Sequence, residues 1–207
     1  QNSDFLHDPD VPMLKRLQAD ARGLVKLVTL APEQPGSMEF IQAAAEEGIH
    51  VSIGHTVADY ETASAAFAAG ADHATHLYNG MPSLHHREPA VIGAAFDNKK
   101  VMPEIICDGI HVHGSVIRAT FAMFGAERMI LISDSLRATG MPDGEYPFGG
   151  QMIEVHGNRA TLLGHPETLA GSVTSLMGCL RQAVKFGIPV ADAVRAASYN
   201  PARSIGM

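Results

Sequence analysis

Four short apolar runs in this sequence are followed, at their C-terminal ends, by residues able to bind a metal ion or carry a proton: His55, His76, Asp108 with His111 just beyond, and Asp134. Two neutral imidazoles with a carboxylate suit a divalent transition ion such as zinc, and iron, cobalt or manganese are compatible with the same donors. An ion with an open position lowers the pKa of water from about 15.7 toward about 7, so hydroxide becomes available to attack an unreactive amide carbonyl. Asp134 is the natural group to take the proton from that water and deliver it to a departing nitrogen. A single histidine after a strand is usually a packing or loop residue. Recurrence at consecutive strand ends is what points to a site.

Such residues meet only if the elements carrying them open onto one face. From Leu24 onward, β-branched or apolar runs alternate with amphipathic stretches closed by glycine, the pattern of repeated β-α units on a parallel sheet. The runs are Val25 to Leu30, His50 to Ile53, His73 to His76, Pro103 to Cys107 and Met129 to Ile132. A helix between the first two is capped by Ser37, carries Met38, Ile41 and Ala45 on one face and stops at Gly48. The next opens at Thr56 or Asp59, is lined by Tyr60, Ala63 and Phe67, and closes at Gly70; a further one runs from Ser115 through Ile117, Phe121 and Phe124 to Gly125. A charged helical stretch, Val11 to Arg22, precedes them. After the fifth strand, Gln151 to His156 and Arg159 to Leu163 flank Gly157-Asn158, an inserted β-hairpin. A long helix follows from a Ser172 cap to Gly187, and another follows Pro189 until Asn200-Pro201 interrupts it. Five β-α units are visible, whereas a closed (β/α)8 barrel has eight and about 250 residues. From periodicity alone, a doubly wound open sheet is the alternative. In a barrel, all strand C-termini face one mouth, which favours that architecture here.

With 207 residues, 46% hydrophobic and 18% charged, the chain can bury the core of one domain. A net charge of -7 without a basic stripe argues against nucleic acid as a partner. No apolar run approaches the roughly 20 residues needed to span a bilayer, and Gln1 to Asp10 is polar rather than signal-like, so the chain reads as cytoplasmic, with no membrane partner. Cys107 and Cys179 lie in unrelated surroundings and read as reduced packing residues. The ten methionines are scattered, and no organic cofactor is indicated. Asp143-Gly144 is a turn signal.

His55 stands in Gly54-His55-Thr56, and His76 in Thr75-His76-Leu77-Tyr78-Asn79-Gly80-Met81. Arg87 lies in His86-Arg87-Glu88-Pro89, His111 in Asp108-Gly109-Ile110-His111-Val112, and Asp134 follows Ser133. With Leu169-Ala170-Gly171-Ser172 and Ser198-Tyr199-Asn200-Pro201-Ala202-Arg203, in this order, these runs closely resemble the N-acetylglucosamine-6-phosphate deacetylases of the amidohydrolase superfamily. The resemblance implies a metal-dependent TIM-type barrel, represented here by about its last five β-α units as one catalytic domain over 1–207. It implies hydrolysis of the N-acetyl group of an amino-sugar phosphate, with His55 and His76 as metal ligands and Asp134 as catalytic acid/base. Asn79 and Gly80 would contact substrate, and Arg87 would pair with the phosphate, which a planar guanidinium suits. Asp108 and His111 would touch the sugar phosphate, and Leu169, Ala170 and Gly171 would form a loop against the ring. His7, in Leu6-His7-Asp8-Pro9, matches a segment whose histidine polarises the acetyl carbonyl. The resemblance also implies a homodimer whose phosphate site draws on both subunits.

The sequence departs from that pattern in several places. The family's carboxylate ligand, in a Leu-Glu-Gly-Pro run, has no counterpart, nor do the early barrel strands and the small β-sandwich, and there is no initiator Met; the expectation is a barrel incomplete at its N-terminus. Glu33 also ends a strand, but a local capping role is the stronger reading. Gly80 replaces a more usual Ala, and Ser135 and Arg137 replace small or apolar residues. His85 and His86 read as solvated, as do His50, His73, His113, His156 and His165, which show no partner pattern. The alternatives are an amidohydrolase acting on a cyclic amide or nucleobase, and a barrel piece without a competent metal that serves as a binding module.

Overall fold

A computed structural model describes residues 6–207, so the first five residues of the polar segment Gln1 to Asp10 lie outside the described residues. In chain order the elements begin α1 (Val11–Asp20), β1 (Leu27–Leu30), α2 (Ser37–Glu46), β2 (His50–Ile53), α3 (Tyr60–Ala69), β3 (His73–Ala74), α4 (Ala90–Asp97), β4 (Met102–Ile106), α5 (Gly114–Phe124) and β5 (Ile130–Ile132). There follow β6 (Gly144–Phe148), β7 (Gln151–His156), β8 (Arg159–Leu162), β9 (His165–Ser172), α6 (Leu176–Lys185), α7 (Val190–Ala197) and α8 (Tyr199–Ser204).

The first five strands are parallel and lie in sequential order, β1-β2-β3-β4-β5. A doubly wound sheet reverses its order at a switch point, whereas a barrel adds each strand on the same side as the last. The observed order is that of an arc of a barrel. Ile41, Ala63, Phe67, Ile92, Ile117 and Phe121 pack from the helices onto Val51, Ile53, Ile105 and Leu131 of the strands, in one core cluster. Asp59 caps α3 as expected, accepting from Thr62 N at 2.8 Å.

Several local expectations are corrected. Ser37 is the first residue of α2 rather than its cap; its hydroxyl donates to Ala31 O, and Gly36 takes the cap position with φ 81°. The buried face of α2 centres on Phe40, Ile41 and Ala44, not Ala45. Helix α4 has no polar stripe to read, because six of its eight residues are buried; a helix enclosed on all sides loses the amphipathic period. The inserted hairpin is the centre of a four-stranded antiparallel sheet, β6-β7-β8-β9, and Ser172 ends β9 while Ser175 caps α6. The break near the C-terminus falls at Ser198, and Pro201 sits in the first turn of α8, where its missing N–H costs nothing. Cys107 and Cys179 are free and buried, but not in unrelated surroundings: burial raises both thiols, Cys179 to about 11, and the neighbouring Cys179 raises Cys107 further, whereas a backbone hydrogen bond from Cys107 works against the rise at Cys179.

Fully buried Asn200 ties α8 to the start of β5. Its amide donates to Ala126 O and Met129 O, each at 2.7 Å. Asn200→Ala strands one buried and one partly buried carbonyl, so it is expected to cost about 2–4 kcal/mol of unfolding free energy. Urea denaturation measures this; an unchanged midpoint would show that the anchor is dispensable.

Candidate active site

β2 and β3 approach so closely at their C-terminal ends that only glycine fits between them. A Cβ on Gly54 would stand 2.6 Å from Thr75 Cβ, and Ser52 Oγ lies 2.6 Å from Thr75 Oγ1. Immediately beyond, His55 and His76 bring their rings together edge to face, with centroids 4.6 Å apart and Nε2 2.9 Å from Nε2. His55, His76 and Asp134 all have positive φ, at 49°, 29° and 49°. Residues with a Cβ rarely adopt this conformation, and each costs roughly 1–3 kcal/mol unless its surroundings enforce it. It marks the point where the chain leaves each of these strands at the mouth of the sheet.

These three residues line one cavity of about 940 Å³ with Tyr78, Asn79, Gly80, His111 and the segment Thr168 to Gly171. The antiparallel sheet forms a wall of it. Ser172 N donates to Asp134 O at 2.9 Å and Leu136 N to Ser172 O at 2.8 Å, so β9 grips the backbone on both sides of Ser135. A Cβ on Gly171 would stand 2.9 Å from Leu136 Cδ2. Gly80 has φ 57°, and a Cβ there would lie 3.2 Å from His55 Nδ1, so the glycine relieves crowding against that ring. Asn79 donates its amide to His76 O and Leu77 O, which stiffens the turn after His76.

The donor chemistry fits a divalent transition ion. Burial, and then the charge of His76, hold His55 below its ordinary value, which favours the neutral ring that ligates metals, although Asp134 pulls the other way. Two Nε2 atoms facing each other at 2.9 Å require either one proton between them or a shared cation. Glu33 is not a free ligand. Its Oε1 accepts from Val57 N at 2.8 Å and its Oε2 from the Thr56 hydroxyl, so it braces the loop after His55.

The structure brings together His55, His76, Asn79, Gly80, His111, Asp134, Leu169, Ala170 and Gly171. Three expected residues stand apart. The Asp108 side chain is 1% exposed and does not line the cavity; Oδ1 accepts from Ile110 N and His111 N, and Oδ2 faces His111 Nδ1 at 2.7 Å. Arg87 lies on an exposed loop with its guanidinium 2.7 Å from His86 Nε2. His7 lines a neighbouring groove with Pro9, Gly36 and Glu39, although Leu6 reaches the cavity.

The histidines read as solvated divide. His85 and His86 are exposed, as are His156 and His165, and His113 caps α5 through Nδ1. For His50 and His73 the reading is wrong: His73 is buried, and both rings share Asp72. Sequence reasoning also missed Glu104, a half-covered side chain whose carboxyl burial pushes up, against the opposing influence of His73 and the His76 N–H. Its signal was available as a carboxylate inside the apolar run Met102–Ile106.

Comparison with known proteins agrees with this geometry. The model of the Amidohydrolase family matches residues 11–207. The chain is 41% identical over its whole length to N-acetylglucosamine-6-phosphate deacetylase of Bacillus subtilis, covering 52% of that protein. It is 36% identical to N-acetylgalactosamine-6-phosphate deacetylase of Escherichia coli over 99% of this chain and 54% of that protein. An aspartate-to-alanine mutant of N-acetyl-D-glucosamine-6-phosphate deacetylase from Mycobacterium smegmatis, solved in complex with N-acetyl-D-glucosamine-6-phosphate, superposes with a TM-score of 0.95 at 36% identity, over 100% of this chain and 55% of that one. The chain thus spans about half the length of the curated relatives it matches. Its parallel β-α units, the strand-end histidines and the matched family model place the chain in the amidohydrolase family.

Proposed function

We propose that this chain carries the metal-binding and proton-transfer half of a deacetylase that hydrolyses the N-acetyl group of N-acetylglucosamine-6-phosphate to acetate and the free amine. The observation that carries the reading is the convergence of His55 Nε2 and His76 Nε2, 2.9 Å apart, on a cavity shared with Asp134. The names of the relatives support the same substrate class. His55 and His76 would hold a divalent ion, zinc being well suited. Such an ion supplies Lewis acidity toward water and the amide carbonyl.

Asp134 accepts a proton from the attacking water and returns it to the nitrogen as the C–N bond breaks. Leu169, Ala170 and Gly171 lie against the sugar, and Asn79 and Gly80 form the facing turn. Asp108 is a positioning residue. Burial pushes its carboxyl up, but the hydrogen bonds from the His111 ring and from the His111 and Ile110 N–H groups outweigh this and hold it below the usual carboxylate range. An ionised Asp108 keeps the proton of His111 on Nδ1, which leaves Nε2 as an acceptor for a substrate hydroxyl. Arg87 stands outside this cavity on an exposed loop, a placement that suits phosphate binding in the cavity of a second subunit of a homodimer. His7 has no cavity contact to support a role at the acetyl carbonyl.

Acetate release by the zinc-loaded full-length protein tests the proposal. N-acetylglucosamine-6-phosphate is expected to turn over, with N-acetylgalactosamine-6-phosphate run beside it; metal-loaded protein that releases acetate from neither would refute the reading. Asp134→Asn is expected to lower kcat by about 10²–10⁴-fold with zinc content unchanged. Arg87→Ala should raise KM, with metal retained; unaltered kinetics would favour the cyclic-amide or nucleobase alternative. Asp108→Asn is expected to lower kcat/KM about tenfold, the worth of one hydrogen bond, and to shift the His111 tautomer in ¹⁵N spectra. Because the folded state holds Asp108 ionised below its unfolded value, its stabilisation is complete above the ordinary carboxylate range and is lost as pH falls. The stability gap between Asp108→Asn and the parent should therefore close below about pH 4.

A further inference from the structure

One cluster of ligating side chains is left unused by this chemistry. His50 opens β2, His73 opens β3, and Asp72 lies between them, with Oδ2 2.6 Å from His50 Nδ1 and Oδ1 2.7 Å from His73 Nδ1. One ligand atom from each lies within 4.8 Å of the others. The same two strands lead at their far ends to His55 and His76. At about 3.3 Å of rise per residue the two histidine pairs are on the order of 10–16 Å apart, against about 3.5–4 Å in a binuclear centre. The lower cluster is a separate place.

We propose that His50, Asp72 and His73 form a second, structural site for a divalent ion of the zinc class at the N-terminal mouth of the sheet. Two imidazoles with one carboxylate select zinc, cobalt or nickel over magnesium or calcium. The side chains of His50 and Asp72 are 28% and 32% exposed, while that of His73 is 2% exposed. An ion there would reach solvent on the side of His50 and Asp72 and rest against the buried His73 ring. Without it, both rings must keep their proton on Nδ1 to satisfy Asp72, and His73 Nε2 is left as a buried lone pair with no partner among the described residues. With an ion on Nδ1, the proton moves to Nε2. A ligating histidine usually donates its second N–H to a carboxylate, a backbone carbonyl or water, the role that the unpartnered Nε2 of His73 would then take.

The fold supplies a reason for such a clamp. β3 is two residues long and meets β2 at only two positions, Ser52↔His73 and Ile53↔Ala74. An ion joining His50 to His73 would tie these strands together below that short ladder, on the barrel face where special residues serve stability rather than catalysis.

Zinc stoichiometry of the full-length protein, stripped and re-equilibrated, tests the site. A variant carrying His55→Gln and His76→Gln should still bind one zinc, with an unfolding midpoint that rises on zinc addition. Adding His50→Gln and Asp72→Asn should abolish both effects. Should the first variant fail to fold, Asp72→Asn alone in the otherwise unaltered chain should bind one zinc fewer than the parent. A stoichiometry indifferent to His50 and Asp72, or no zinc bound once His55 and His76 are replaced, would show that the cluster is a hydrogen-bonded network only.

Discussion

The site depends on how near β2 and β3 come to each other where they end. Parallel strands lie about 4.8 Å apart along their ladder, and side chains leaving neighbouring ends normally diverge with the twist of the sheet. Here the gap is closed by absence of bulk: Gly54 abuts Thr75, and the short hydroxyls of Ser52 and Thr75 touch across the pair. Everything at the mouth builds on that contact, because it sets where His55 and His76 begin.

The left-handed backbone at His55, His76 and Asp134 is the second constraint. Such conformations persist when the surroundings over-determine them, and the surroundings here are visible. Thr56 N donates to Gly80 O, Glu33 grips Thr56 and Val57, and Ser172 N holds Asp134 O. Strain at these three positions is thus balanced by hydrogen bonds from neighbouring loops. Precision in the site comes from these braces as much as from the strands.

The antiparallel sheet β6-β9 gains its meaning from the same arrangement. It has its own small core of Leu136, Ala138, Ile153, Val155 and Ala160, while its last strand presents Leu169 to Gly171 to the cavity. A wall built on a separate core can vary with the ligand without disturbing the barrel strands, whereas the histidine-bearing ends cannot move independently of each other.

Much of this was written in the residues. Alternating apolar runs and glycine-closed helices announced the parallel units, and His55, His76 and Asp134 at their ends pointed to the cavity that they line together, because strand periodicity and local capping are short-range properties. What depended on long-range contact was not readable. Helix α4 has six of its eight residues buried and shows no stripe. β6 and β9 are a different case: each joins the sheet through a two-residue turn, Gly149-Gly150 and Leu163-Gly164, a local signal that the sequence reading passed over. Asp108 looked like a substrate contact and proved to be the partner of His111, while Arg87 and His7 fall outside the cavity. His50 and His73 looked solitary until the sheet set them beside one carboxylate. A residue's type and its distance from a strand end are local facts, but which atom it faces is decided only when separate segments close on one another.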